Sequence, residues 1–201
     1  MENNTEVLKA VMSGNSALLN EILQSLNSTE RVSVLAAQDY TDKALEEKHV
    51  IRIPCKTTPL IVAVQTGNLA CVKVLLNYKA DIEEQGESFR YRVIQRSQMG
   101  CWFFKNDHVF VSTYTGPPLF VAAANGNLDI LSYLFEQGAN VNAYASSSSR
   151  LSLFILLSRT CTPLIVALTN GHIDAFTFLI DKGADVNFLR PSRLYSSTSC
   201  C

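Results

Sequence analysis

Charge is the first thing this chain has little of. Its 17 basic and 18 acidic residues leave a net charge of −1 over 201 residues. So close a balance gives no field to draw in nucleic acid or acidic lipid, and electrostatic steering is not the basis of its function. Long apolar runs are missing too. The longest cluster, LSLFILL at 151–157, is far too short to span a bilayer. The opening MENNTEVLKAVMSG has neither the basic nor the apolar stretch of a secretory signal. The expected compartment is cytoplasmic or nuclear, where the six cysteines (Cys55, Cys71, Cys101, Cys161, Cys200 and Cys201) are reduced thiols.

Motifs for chemistry are equally scarce. There is no glycine-rich phosphate loop, no G-x-S-x-G and no H-E-x-x-H. No C-x-x-C pair occurs, and Cys101 and His108 stand seven apart without a second pair, so no zinc site is expected. Cys71 falls beside an apolar stripe and reads as a small core residue. Asp129 and Asp174 come early in helical stretches, where a carboxylate suits the helix dipole. Glu83-Glu84 reads as a solvated turn. Cys200-Cys201 looks like the end of a prenylated small GTPase, but the GTPase surface that modification needs is absent, and the pair reads as exposed thiols. The expectation is a protein with no catalytic residues, no metal and no cofactor, not an enzyme.

What is present is a repeat. The segments TPLIVAVQTGNLACVKVLLNYKADI (58–82), PPLFVAAANGNLDILSYLFEQGANV (117–141) and TPLIVALTNGHIDAFTFLIDKGADV (162–186) align without gaps. A weaker copy, TEVLKAVMSGNSALLNEILQSL, opens the chain from Thr5. Thr58 and Thr162 suit a helix cap, and the proline after each has a preset φ and no donor to lose. A short helix follows with Leu60, Ala63 and Val64 on its packing side. Gly67 sits where that helix must stop. Leu69, Val72, Leu75 and Leu76 then recur at the spacing of a second apolar stripe. Helices of about 8–10 residues are too short to stand alone, so the pairs must stack. Hydrophobic residues make up 47% of the chain, enough for a continuous core.

This unit resembles the ankyrin repeat, T-P-L-H-x-A-A-x-x-G-H followed by V-x-x-L-L-x-x-G-A-D-V-N. The resemblance implies an all-α solenoid of about four helix-turn-helix units. Ile61, Phe120 and Ile165 replace the motif's first histidine. Lys79 stands where the second helix should end in glycine, so that end is expected to fray or close differently. His172 holds the motif's G-H position and reads as a donor bracing the loop, not as a catalyst.

Ankyrin units recur every 33 residues. Here Glu6 to Pro59 is 53, Pro59 to Pro118 is 59 and Pro118 to Pro163 is 45. The excess falls between the second helix and the next cap, the place of the projecting finger, where added length costs little closure entropy. The expected organisation is a degenerate capping repeat with its insertion (1–57), a second repeat with a long finger (58–116), a third with its insertion (117–161) and a fourth with an irregular tail (162–201). Residues 30–48 suit an amphipathic helix. The 87–115 finger carries Trp102, Phe103, Phe104 and Tyr114. The serine-rich 144–160 segment and the tail read as folding back on the stack or having no fold of their own.

The order of segments is also similar to the start of fem-1 family proteins. It runs VLKAVMSGNSALLNEIL, a polar spacer with Ser28 and Arg31, TTPLIVAVQTGN, LLNYKADIEEQG, an over-long finger and GPPLFVAAANGNLDIL. That resemblance implies a substrate receptor of a cullin-2 ubiquitin ligase whose stack grips C-terminal degrons. The family's phenylalanine-aspartate-glycine stretch is missing from the finger here, and Asn170 stands where the family has aspartate. The cullin-binding box lies beyond the stretch of likeness, so this chain is expected to bind without recruiting a ligase.

The leading expectation is a protein or peptide partner held in the concave groove. Its lining would be the variable ends of the first helices, Met12-Ser13, Gln65-Thr66, Ala124-Asn125 and Thr169-Asn170, with Trp102, Phe103 and Tyr114 as apolar anchors. No nucleic acid and no membrane partner is expected.

Overall fold

The computed structural model describes residues 2–36, 57–94, 108–147 and 160–186. Helices come in antiparallel pairs. The first unit is α1 (Glu2–Met12) and α2 (Ser16–Ser25), followed by α3 (Ser28–Leu35). The second is α4 (Pro59–Thr66) and α5 (Leu69–Asn77), and the third α6 (Pro118–Asn125) and α7 (Leu128–Glu136). The fourth is α8 (Pro163–Asn170) and α9 (Ile173–Asp181). The first helices form one layer, α1 against α4, α4 against α6 and α6 against α8, and the second helices form another. The architecture is the expected helical solenoid.

The local reasons are those of the sequence. Thr58 Oγ1 accepts from Ile61 N and Thr162 Oγ1 from Ile165 N, both at 3.4 Å, with proline next in each case. Pro117 replaces the threonine in the third unit, where no side chain caps the helix. The alanines in the first-helix layer, Ala63, Ala122, Ala123 and Ala167, are fully buried, so backbones approach closely. The second-helix layer uses larger groups. Phe135 meets Phe178 edge-on at 6.2 Å, with Lys182 Nζ 5.5 Å from each ring.

Two local expectations change. Lys79 does adopt the left-handed conformation, φ +67, and α5 closes as the other second helices do. Its N–H donates to Leu76 O and that of Ala80 to Leu75 O, matching Gly138 and Ala139 after α7 and Gly183 and Ala184 after α9. The hydrogen bonds gained at the stop outweigh the strain on a lysine. In the first insertion the helix is α3, starting at Ser28, with Asn27 N donating to Glu30 Oε2 at 3.1 Å. Residues 37–48 of the expected helix lie outside the described residues. Arg31 of α3 donates through Nη2 to Gln24 O and lies 5.4 Å over the Tyr78 ring, whose hydroxyl donates to Asn20 Oδ1. This cluster ties the spacer to both of the first two units.

The fingers add an antiparallel sheet in the order β1 (Gly86–Ile94), β2 (His108–Gly116), β3 (Ala145–Ser147) and β4 (Thr160–Cys161). The register runs from Gly86 opposite Gly116 to Ile94 opposite His108, then Thr115 opposite Ser146 and Ala145 opposite Cys161. Both ends of the serine-rich insertion therefore join the sheet. Residues 148–159 and the tail from 187 are outside the described residues.

Candidate functional site

The solenoid aligns the C-terminal ends of α4, α6 and α8, because these helices pack side by side in one layer. Gln65-Thr66, Ala124-Asn125 and Thr169-Asn170 occupy those three ends, and Ser13 follows the end of α1. The residues expected to line one groove thus form a single row, on adjacent helices of one layer.

Within the row the side chains divide by role. Thr66 and Thr169 are exposed. Their hydroxyls donate back into their own helices, Thr66 to Val62 O at 3.0 Å and Thr169 to Val166 O at 3.1 Å, and Thr66 Oγ1 also accepts from Asn68 Nδ2 at 3.0 Å. Gln65 is half-buried. Asn125 is half-buried as well, and its Nδ2 is enclosed with no hydrogen-bond partner among the described residues.

Ala124 and Asn170 form a joint between units. Ala124 is 3% exposed. Its carbonyl accepts from Asn170 Nδ2 and from His172 Nε2, both at 3.0 Å. The methyl of Ala124 is closed off by packing, so expecting it as a partner contact is corrected. Tyr114 is corrected on the same ground. It is 5% exposed, and its ring lies 5.6 Å from that of Phe120. An aromatic at the base of a finger is drawn into the stack, where its area is removed from water. Trp102, Phe103 and Phe104 lie outside the described residues.

His172 braces as expected, and a carbonyl partner requires its Nε2 to carry the proton. Its ring covers Gly126 so closely that a methyl there would overlap it. Asn68 lies over Gly14 less tightly, donating to Val11 O at 3.4 Å, and Asn127 lies over Gly67 at ordinary contact distance. Sequence reasoning singled out His172 and missed the two asparagines. The signal was their shared place, one residue after the stop glycine.

Glu83 is also more than a solvated turn. Its N–H donates to Asp81 Oδ1, and its Oε1 accepts from Asn140 N at 2.7 Å in the next unit. Asn142, at the equivalent position, accepts from Asp185 N at 2.8 Å. These contacts brace the finger bases from unit to unit.

Neither described cysteine is set up as a nucleophile. Burial pushes the Cys161 thiol from an ordinary value of 9.0 up to about 12 and raises that of Cys71. Among the described residues no cluster of three or more histidine, cysteine or acidic side chains could hold a metal ion. Among the same residues no helix is long and apolar enough to cross a membrane.

A family model described as ankyrin repeats (3 copies) matches residues 3–145 and 102–189. No curated protein matches the chain. Ankyrin repeats are generally protein–protein interaction modules, typically without enzymatic activity. The family match falls on the same units whose caps, glycine stops and stacked helices are described above, and the chain belongs to the ankyrin-repeat family.

Proposed function

We propose that this protein holds a partner protein or peptide along the row of first-helix ends. The observation that carries the reading is the alignment of Gln65-Thr66, Asn125 and Thr169 on adjacent helices of one layer. Small polar side chains that can both donate and accept suit the backbone groups of an extended chain. A paired substitution, Thr66→Arg with Thr169→Arg, tests it, since both side chains are exposed and the fold should survive. Proteins that co-purify with the wild-type chain should fall about tenfold or more with this variant. They should persist with Glu136→Lys plus Asp181→Lys on the second helices. The reverse pattern would overturn the reading. The cytosol or nucleus is the expected place, which fractionation checks.

A second reading follows from the order of segments, which is similar to the fem-1 family. In it the row reads C-terminal degrons for a cullin-2 ubiquitin ligase. The observation favouring it is the long β1–β2 finger between the second and third units. Against an unchanged specificity stands Asn170, whose amide is committed to Ala124 O. Failure of a longer product of the same gene to co-purify with cullin-2 would remove this reading and leave the first intact.

A further inference from the structure

Equivalent residues in the four units show which positions face which neighbour. Val11, Val64 and Ala123 are fully buried, whereas Leu168, their counterpart in the last unit, is 49% exposed. Leu19, Val72 and Leu131 are fully buried, and their counterpart Phe176 is only half-buried. Ile180 is 41% exposed, where its counterparts are fully buried (Leu23) or half-buried (Leu76 and Phe135). These positions face the following unit, and they open where no described unit follows.

The front of the stack behaves in the opposite sense. Cys71, Ile130 and Ala175 are buried, yet their counterpart Leu18 in the first unit is 42% exposed. Ile22 is half-buried where Leu75, Leu134 and Leu179 are fully buried. Leu8 is half-buried where Ile61 and Phe120 are fully buried. The polar half of the joint is split in the same way. Gly14, Gly67 and Gly126 each lie under an asparagine or histidine of the next unit, and Gly171 has nothing within 4 Å. At the front, Asn15 is the counterpart of Asn68 and Asn127 and is exposed.

We propose that these two ends are the halves of one interface. A second copy of this chain stacks head to tail on the last unit, with Asn15 of one copy over Gly171 of the other. The back then sets Leu168, Phe176 and Ile180 against Leu8, Leu18 and Ile22. The contact continues the joint already formed three times inside the chain. Among the described residues, the outer faces of the first and last units are apolar at these positions, and an exposed solenoid face is ordinarily polar. The fifteen residues from 187 to 201 are a poorer occupant than the front of a second copy. They carry no Thr-Pro-Leu or Gly-Asn signal. Head-to-tail contact leaves one free end on each copy, so association passes beyond the dimer.

Sedimentation velocity of the full chain from about 1 μM to about 1 mM tests this. Growth past the dimer with concentration is expected. Leu168→Glu at the back and Leu18→Glu at the front each bury a charge in the joint and should weaken association about a hundredfold or more. Both residues are exposed in the single chain, so circular dichroism should be unchanged. Mixing the two variants is decisive. The Leu168→Glu chain keeps a sound front and the Leu18→Glu chain a sound back, so the mixture should form a one-to-one dimer and stop there. A symmetric back-to-back dimer would leave the Leu18→Glu chain fully associated. A tail folded over the end would leave the wild-type chain monomeric throughout. Either result overturns the proposal.

Discussion

Two demands meet at Gly126. Its φ of +73 disfavours any side chain, and the His172 ring fills the space where a Cβ would go. Gly171 has φ +78 with nothing within 4 Å, so it carries only the first demand. Gly171→Ala should cost about 1 kcal/mol and Gly126→Ala about 2–3 kcal/mol. Urea melts at low protein concentration measure both, and equal costs would remove the ring contact from the account. Asn170 offers a second check. Aspartate there cannot donate to the Ala124 carbonyl and would repel it. Asn170→Asp should cost about 1–2 kcal/mol above pH 6, read from the same melts. Cys161 gives a dependence on pH. Its folded thiol ionises near 12 against an ordinary 9.0, because burial penalises the thiolate. Above about pH 9 the unfolded chain therefore releases a proton that the folded chain keeps. The contribution is whole below pH 9 and is lost as pH rises toward 12. Stability over that range should fall less steeply for Cys161→Ala than for wild type.

At the scale of elements, helices were legible in the sequence because each carries its own start and stop. Thr58-Pro59, Thr162-Pro163 and the following glycines act within one turn, and the structure keeps them all. Lys79 shows where local reasoning falls short. A lysine is a poor left-handed residue, but the closing bonds to Leu75 and Leu76 depend on the turn, not on the side chain. Lys79→Gly should then relieve strain without altering the turn, a gain of about 0.5–1 kcal/mol in thermal or urea unfolding. No gain would mean that the lysine side chain holds something its backbone does not. The finger strands were not legible. Their partners lie far off in sequence, so composition alone could not set the register of Gly86 with Gly116 or of Ala145 with Cys161. The burial of Tyr114 was hidden for the same reason, since only the packed stack brings it to Phe120.

The whole molecule is a row of short units, none of which can bury its apolar face alone. Stacking supplies the core, and side-chain joints fix the register. Asn68, Asn127 and His172 reach back over a glycine, while Glu83 and Asn142 accept from the next finger base. The row was legible to the extent that the repeat was. Gln65-Thr66, Asn125 and Thr169-Asn170 share one repeat position pair, and the repeat aligns them. The sequence did not reveal which members of the row are spent on stacking. Ala124 and Asn170 face a neighbouring unit, and a single repeat does not show that neighbour. Gln65, Thr66, Asn125 and Thr169 are the members of the row proposed to meet a partner. A photo-crosslinking amino acid placed singly at Thr66 and Thr169, and for comparison at Glu136 and Asp181, tests this most directly. In cells, covalent adducts with a common partner should form from Thr66 and Thr169 and not from Glu136 or Asp181. Adducts that form equally from both sets, or only from the second helices, would contradict a binding row at the first-helix ends.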